Sequence, residues 1–209
     1  MVKGIYTDEF LNSKRQIGDP AADAFIEYAF ADKERKRQLK NWLEGKAAAE
    51  DLDAMFPGFE FISGAGDLPL WADKKLISAG QAFFAMHAQD IMTLLGLLSL
   101  PYCYTAADGA MVLYLSEKIR KQTTKRLYDT AVFVWDVMAP EAFAKAGNAF
   151  SDILRIRLVH AAVRFYMLHS QTWNENLGTP INQEDMAGTN LSFSLIVVRG
   201  LRKLGVQIS

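Results

Sequence analysis

The stretch Leu154-Arg-Ile-Arg-Leu-Val-His-Ala-Ala-Val-Arg-Phe-Tyr-Met-Leu-His169 constrains the fold more than any other part of the chain. Wound as a helix, it places Ile156, Leu158, Val159, Ala161, Ala162, Val163 and Phe165 nearly all round the axis. A helix with that profile is buried, so other elements have to surround it. Elsewhere the apolar residues recur mostly at helical spacing, and few runs alternate with period two. The expectation is an all-α fold, a single-domain orthogonal helical bundle of about six to eight helices. Half of the 209 residues are apolar, so the core needs no metal or disulfide to staple it.

Local signals divide the chain. Residues 1–18 are polar and mixed and read as an irregular N-terminal arm, leaving 19–209 as the helical domain. Asp19-Pro20 pairs an N-cap acid with proline in the first turn, starting a helix expected to run on to Trp42. Its charge run Asp32-Lys-Glu-Arg-Lys-Arg-Gln reads as a solvated face. Turn chemistry fills Phe56 to Gly66. A long helix is expected from Leu68 or Pro69 to about Ser99, with Pro101 ending it. Further helices follow over Ala107 to Lys118, Gln122 to Met138 and Phe150 to Ser170. Asn182, with Asp185 three residues on, caps a last helix to Leu204. Trp173, Asn182 and Gln183 are expected to build the turn before it.

Composition removes several function classes. The 23 basic and 24 acidic residues nearly cancel, without the basic excess that nucleic-acid binding requires. Cys103 is the single cysteine, so neither an intrachain disulfide nor a cysteine-rich metal site can form, and a reducing, cytoplasmic location is the plain expectation. The opening residues lack a signal-peptide core. The strongly apolar run Ile91 to Leu100 is about half of the roughly 20 residues that span a bilayer, so a buried helix is expected there and no transmembrane segment.

The three histidines, His87, His160 and His169, define what metal chemistry remains. None is preceded by glutamate at the Glu-x-x-His spacing of a di-iron bundle, and His-Glu-x-x-His is absent. His160 and His169 are nine apart, about two and a half turns, and cannot ligate one ion from a straight helix. Neither a Gly-x-Ser-x-Gly elbow nor a phosphate-binding Gly-rich loop occurs. Arg157, His160 and Arg164, at i, i+3 and i+7, share one helical face. Two guanidinium groups and an imidazole on a buried helix are costly unless they meet anions or acceptors. Two readings stay open on spacing alone. Internal carboxylates neutralise the arginines and His160 is a core residue; or a haem offers iron to the imidazole and propionates to the arginines.

Arg157-Leu-Val-His-Ala-Ala-Val-Arg164, Gly178-Thr-Pro-Ile-Asn-Gln-Glu-Asp185, Thr189, Phe193-Ser194 and Leu201-Arg-Lys-Leu-Gly205 together resemble the MpaB-type oxygenase family, which includes the rubber oxygenases called latex-clearing proteins. Ser99-Leu-Pro-Tyr102 and Lys125 to Val134 are similar to its upstream elements, so the resemblance covers roughly residues 70 to 205. It implies an all-α domain binding haem b, with His160 as the proximal iron ligand and Arg157 and Arg164 as its flanking arginines. It also implies a distal Arg-x-x-Lys-Thr element. Arg120-Lys-Gln-Thr-Thr124 keeps the Arg and the Thr, but Thr123 stands at the lysine position; Lys121 and Lys125 are the neighbouring substitutes. For the acidic base of those enzymes Asp108 is only a distant candidate. Members of that family usually continue through more helices, which makes 19–209 a short or C-terminally incomplete member.

The function expected from this resemblance is a haem-dependent oxygenase acting with dioxygen on an apolar, unsaturated small molecule. Arg120 and Thr124 would line the oxygen side, and Arg157 and Arg164 would steady the cofactor or the helix. The alternatives are a non-catalytic haem or hydrophobic-ligand carrier, and a purely structural helical protein with carboxylates beside both arginines.

Overall fold

A computed structural model of the chain describes residues 6–45, 51–116, 123–144 and 147–208, and among these every regular element is helical. Helix α1 (Asp8–Lys14) lies where an irregular arm was expected. Thr7 nucleates it by accepting the Phe10 N–H at 3.2 Å, and Asp8 and Glu9 sit favourably in its first turn. Helix α2 (Pro20–Phe30) starts at the Asp19 cap as expected, but it does not run on to Trp42. Asp32 begins a separate helix, α3 (Lys33–Leu43), by accepting the N–H groups of Glu34 and Arg35 at 3.0 and 2.9 Å. A second cap thus divides one expected helix into two. Most of the charge run around Arg37 is exposed, with Arg37 and Glu34 paired at 2.6 Å.

These helices enclose the first core. Ala22, Phe25, Ile26 and Ala29 of α2 meet Leu39 and Trp42 of α3, Leu52 of α4 (Asp51–Met55), Phe56, and Ile62 of α5 (Glu60–Ser63). Phe25 is the hub, with ring centroids 5.2, 4.9 and 5.8 Å from Phe56, Phe59 and Phe61 in edge-to-face contact. The floor of this core is α10 (Ala149–His169), which supplies Leu154, Leu158 and Ala161.

Helix α6 (Lys74–Leu94) starts later than Leu68 because Asp73 caps it, accepting the N–H groups of Lys75 and Leu76 at 2.7 and 3.3 Å. The helix kinks at His87, whose φ of −116° and ψ of 20° are non-helical. Pro101 does not end the run. It lacks the N–H that would bond the carbonyl one turn back, and its ring crowds that carbonyl. The chain widens into a π turn over Leu95–Ser99, where the Leu100 N–H reaches Leu95 O, and resumes as α7 (Leu100–Thr105).

Lys74–Thr105 is therefore 32 residues of nearly continuous helix, long and apolar enough to cross a membrane by length and composition, and 28% of its most apolar window is buried. The buried helix expected over residues 91–100 turns one side to the core. Ile91, Leu95 and Leu100 face inward, whereas Leu97 is 77% exposed.

Helix α8 (Ala107–Leu115) and helix α9 (Thr123–Met138) follow, and then α10. Asn182 caps α11 (Gln183–Phe193) by accepting the Asp185 N–H at 2.9 Å. The single last helix expected breaks at Ser194 (φ −109°, ψ −72°), so α12 (Leu195–Lys203) is separate. Phe84, Ile91 and Leu95 pack on Val197 and Leu201 of α12 as a second core, with Val134 and Met138 of α9 against it. Gly200 permits that approach: a Cβ there would lie 2.6 Å from Leu94 Cδ2.

The burial pattern predicts unequal tolerance to truncation. Leu158→Ala, at a fully buried position, is expected to cost about 2–5 kcal/mol. Leu97→Ala is expected to change stability by less than about 0.5 kcal/mol. Urea unfolding midpoints of the two variants measure this; equal losses would contradict the packing described.

Candidate functional site

Helix α10 carries Arg157, His160 and Arg164, and α2 supplies what the arginines meet. Arg157 grips Asp19 with two N–H groups: Nε donates to Oδ2, and Nη2 donates to Oδ1 at 2.9 Å. Arg164 Nε donates to Asp23 Oδ1 at 2.7 Å, and Nη1 to the Ile181 carbonyl at 3.1 Å. Asp19 and Asp23 are one turn apart on α2, and the two arginines are about two turns apart on α10. Asp19 with Arg157 and Asp23 with Arg164 run in the same sense along both helices, so the pairs set α2 and α10 in register. Arg157 also stacks its guanidinium over Phe61, 4.9 Å from the ring centroid.

The two pairs differ in how much water they retain. Arg157 is 41% exposed, so its ion pair is partly screened. Arg164 is 2% exposed, and its Nη2 is buried without a hydrogen-bond partner. Burial tends to raise the Asp19 carboxyl, but hydrogen bonds from Arg157 and Ala22 and the nearby arginine charges hold it below its ordinary range. The Arg157 guanidinium is pushed higher by the Asp19 hydrogen bond.

The segment 178–183 closes over Arg164. Thr179 N–H donates to Arg15 O at 2.9 Å, Gln183 N–H to Ile17 O at 2.9 Å, and Gln183 Nε2 to Gly18 O at 2.6 Å. Gly18 is needed for this approach, because a Cβ there would sit 2.8 Å from Asp23 Oδ2 and 2.9 Å from Arg164 Cδ. Gly178 combines a φ of 79° with a position where a Cβ would be 2.6 Å from Arg15 O. Asn182 is fully buried, Nδ2 donating to Thr179 O at 3.0 Å, and Trp173 Nε1 donates to Gly178 O at 2.8 Å. Trp173, Asn182 and Gln183 thus build the turn, as expected from the sequence.

His160 lies on the same face as the arginines, largely buried, and among the described residues it has no hydrogen-bond partner. Burial, helped by the neighbouring Arg164 charge, pulls its imidazole down to about 4. The ring is neutral near neutral pH and offers a lone pair, the state in which a histidine ligates a metal. The other histidines are engaged differently. His87 occupies the α6 kink against Phe83 at 4.6 Å, and His169 stacks on Phe165 at 4.1 Å while Nδ1 bonds Phe165 O at 2.7 Å. Among the described residues no group of three or more His, Cys, Asp or Glu side chains could hold a bare metal ion.

Of the distal candidates, Arg120 and Lys121 lie outside the described residues. Thr124 is exposed on the first turn of α9, with no hydrogen bond to His160. Lys125 pairs with Asp129 at 2.6 Å on the exposed side. Asp108 meets Arg15 Nη2 at 3.3 Å, and Arg15 also bonds Glu184 and Asp185 at 2.8 and 3.1 Å. A shallow cavity of about 270 Å³ lies at the α9–α10 link, lined by Asp136, Pro140, Glu141 and Asn148 among others and not by His160.

Sequence reasoning missed Asp23 and Arg15 and read Asp19 only as a cap. The available signal was two aspartates at i and i+4 opening a mostly apolar helix, a spacing that places both on one face.

With this geometry in place, comparison with known proteins adds one relationship. The chain is 28% identical over 176 residues to the rubber oxygenase of Streptomyces sp. (strain K30), a match covering 82% of this chain and 42% of that protein. The chain is thus related, distantly, to a rubber oxygenase, and spans less than half of that relative's length. No family model matches the chain, and no solved structure matches it.

The pairings predict two measurable effects. Arg164→Ala is expected to cost about 3–5 kcal/mol, because it strips a buried pair of one partner. In a double-mutant cycle, Asp23→Ala with Arg164→Met is expected to cost clearly less than the sum of the single changes. Additive losses would mean that the two groups are not coupled.

The second effect concerns pH. His160 titrates near 4 folded against an ordinary value of 6.5, so the unfolded chain binds more protons between those values. Stability contributed by neutral His160 is therefore complete above about pH 6.5 and lost as the pH falls toward 4, by on the order of 3 kcal/mol. Denaturation of the protein from pH 7 to 5 should show this slope, and His160→Leu should flatten it. Asp19, held low, contributes a separate loss only below the ordinary carboxylate range.

Proposed function

We propose that this chain is the haem-binding helical part of an MpaB-type oxygenase that acts with dioxygen on an apolar, unsaturated, polyisoprene-like substrate. The observation that carries the reading is His160: a largely buried, neutral imidazole without a hydrogen-bond partner among the described residues, on a helix within the stretch similar to a rubber oxygenase. A haem needs a single protein nitrogen at iron, and no hydrogen bond to His160 has to be broken to supply it. Bound there, the haem would supply the iron that activates dioxygen.

The fit of the arginines is different. Their hydrogen bonds go to Asp19, Asp23 and Ile181 O rather than being free for propionates. In this reading Arg157 and Arg164 are positioning residues: they fix α10 against α2 and so orient His160. Arg120 and Thr124 are assigned to the oxygen side by family resemblance. Thr123, at the family's lysine position, favours a carrier without turnover as the second reading. The arginine–aspartate pairs favour a third, a structural helical protein, because they neutralise both guanidinium groups without any cofactor.

An absorption spectrum of protein produced with haem supplied separates these readings. A Soret band that His160→Ala weakens or shifts, and that Asp23→Asn leaves at its wavelength while lowering the melting temperature, is the expected result. A colourless wild type under those conditions would overturn haem binding. A Soret band without oxygen consumption on unsaturated isoprenoids would favour the carrier.

A further inference from the structure

Between the two cores the chain presents an apolar tip for which neither core has a use. Residues 69–72 form a turn closed by the Ala72 N–H on Pro69 O at 2.8 Å, and its two central residues are Leu70 and Trp71. Leu70 is fully exposed, Trp71 is 85% exposed, and Leu76, in the first turn of α6, is 72% exposed. Turn tips normally carry small polar residues, so a leucine and a tryptophan side by side at one are a departure. Lys74 and Lys75 stand between them and Leu76, both exposed and without ion-pair partners among the described residues. The nearer of the two local carboxylates, Asp73, is turned onto the helix as its N-cap, and Asp67 lies on the far side of the turn.

We propose that this tip docks the protein on a lipid bilayer bearing anionic headgroups. Trp71 would sit at headgroup depth with Leu70 and Leu76 reaching the acyl boundary, and Lys74 and Lys75 would bind lipid phosphates. Tryptophan prefers that depth because its ring is amphipathic, and lysine stems reach apolar surroundings while the ammonium stays with phosphate.

Insertion stops at the tip. Asp90, also exposed, is fourteen residues beyond Leu76, about 21 Å along the helix and so in water, whereas interfacial segments bury only about 5–10 Å. A second copy of the chain is a poorer occupant. In a two-fold contact through the tip, Lys74 and Lys75 of both copies would be brought together, and like charges facing each other are unfavourable. Docking at a lipid surface is independent of haem binding and of the chemistry proposed above.

The test is flotation with vesicles of phosphatidylcholine containing roughly a third phosphatidylglycerol. The wild type should float with them, and Leu70→Ser with Trp71→Ser should weaken binding at least about tenfold without changing the melting temperature. Lys74→Glu with Lys75→Glu should abolish the preference for phosphatidylglycerol and its salt dependence, and Leu97→Ser should float like the wild type. Failure of the wild type to float, or unchanged flotation of the Leu70/Trp71 variant, would overturn the proposal. So would self-association in sedimentation velocity that the Leu70/Trp71 variant abolishes, because the tip would then belong to a second copy.

Discussion

The arrangement of α2 on α10 depends on charge as much as on apolar contact. An ionised guanidinium as buried as that of Arg164 costs several kcal/mol to desolvate, and only a well-placed carboxylate and carbonyl make that tolerable. Asp23 and Ile181 O supply those contacts, leaving Nη2 as the one unsatisfied group. Such a pair adds little net stability over apolar residues of the same size. Its effect is on choice among packings: sliding α10 by one turn along α2 would keep much of the apolar contact but strand both arginines. The aspartates thus select one register, and Gly18 and the 178–183 turn close only over that register.

Elements encoded by neighbours in sequence were legible, and elements encoded across the chain were not. The caps at Asp19 and Asn182 could be read because a capping side chain bonds an N–H only three residues on. The body of α10 could be read because its apolar residues surround the axis. The breaks at Asp32 and Ser194 and the π turn before Pro101 are local too, but apolar periodicity passes through the last two undisturbed. The charge run from Asp32 reads equally well as the solvated face of a continuing helix. The partners of Arg157 and Arg164 lie 138 and 141 residues away, and nothing in local spacing specifies them. His160, Arg157 and Arg164 were legible as a face; which groups answer that face was not. Arg120 falls outside the described residues, so its place relative to His160 rests on resemblance alone.

The two cores are built to different standards. The first is closed by fully buried Phe25, Phe56, Trp42 and Leu158. The second relies on small contacts such as Leu94 against Gly200, and α9 has no fully buried residue. Tyr128, Val132 and Trp135 of α9 are each at least 40% exposed, although Trp135 still touches Phe84 with centroids 5.7 Å apart. Helices held by so few buried apolar contacts open at lower free energy than the rest of a molecule. The α6–α9 region is therefore where a ligand or an apolar surface would find side chains already out of the core.

The electrostatics of His160 follow from its burial and from the Arg164 end of the clamp. Burial and the Arg164 charge both disfavour the imidazolium, so they act in the same direction on the ring. Asp23 holds that Arg164 charge in place through its ion pair. Removing Asp23 would leave the buried Arg164 without its carboxylate and loosen the helix that carries His160. Neutrality of the ring thus rests on burial and the Arg164 charge, while the pairs fix the backbone of the helix that carries it. A neutral ring is also the state that the proposed ligation of haem iron requires.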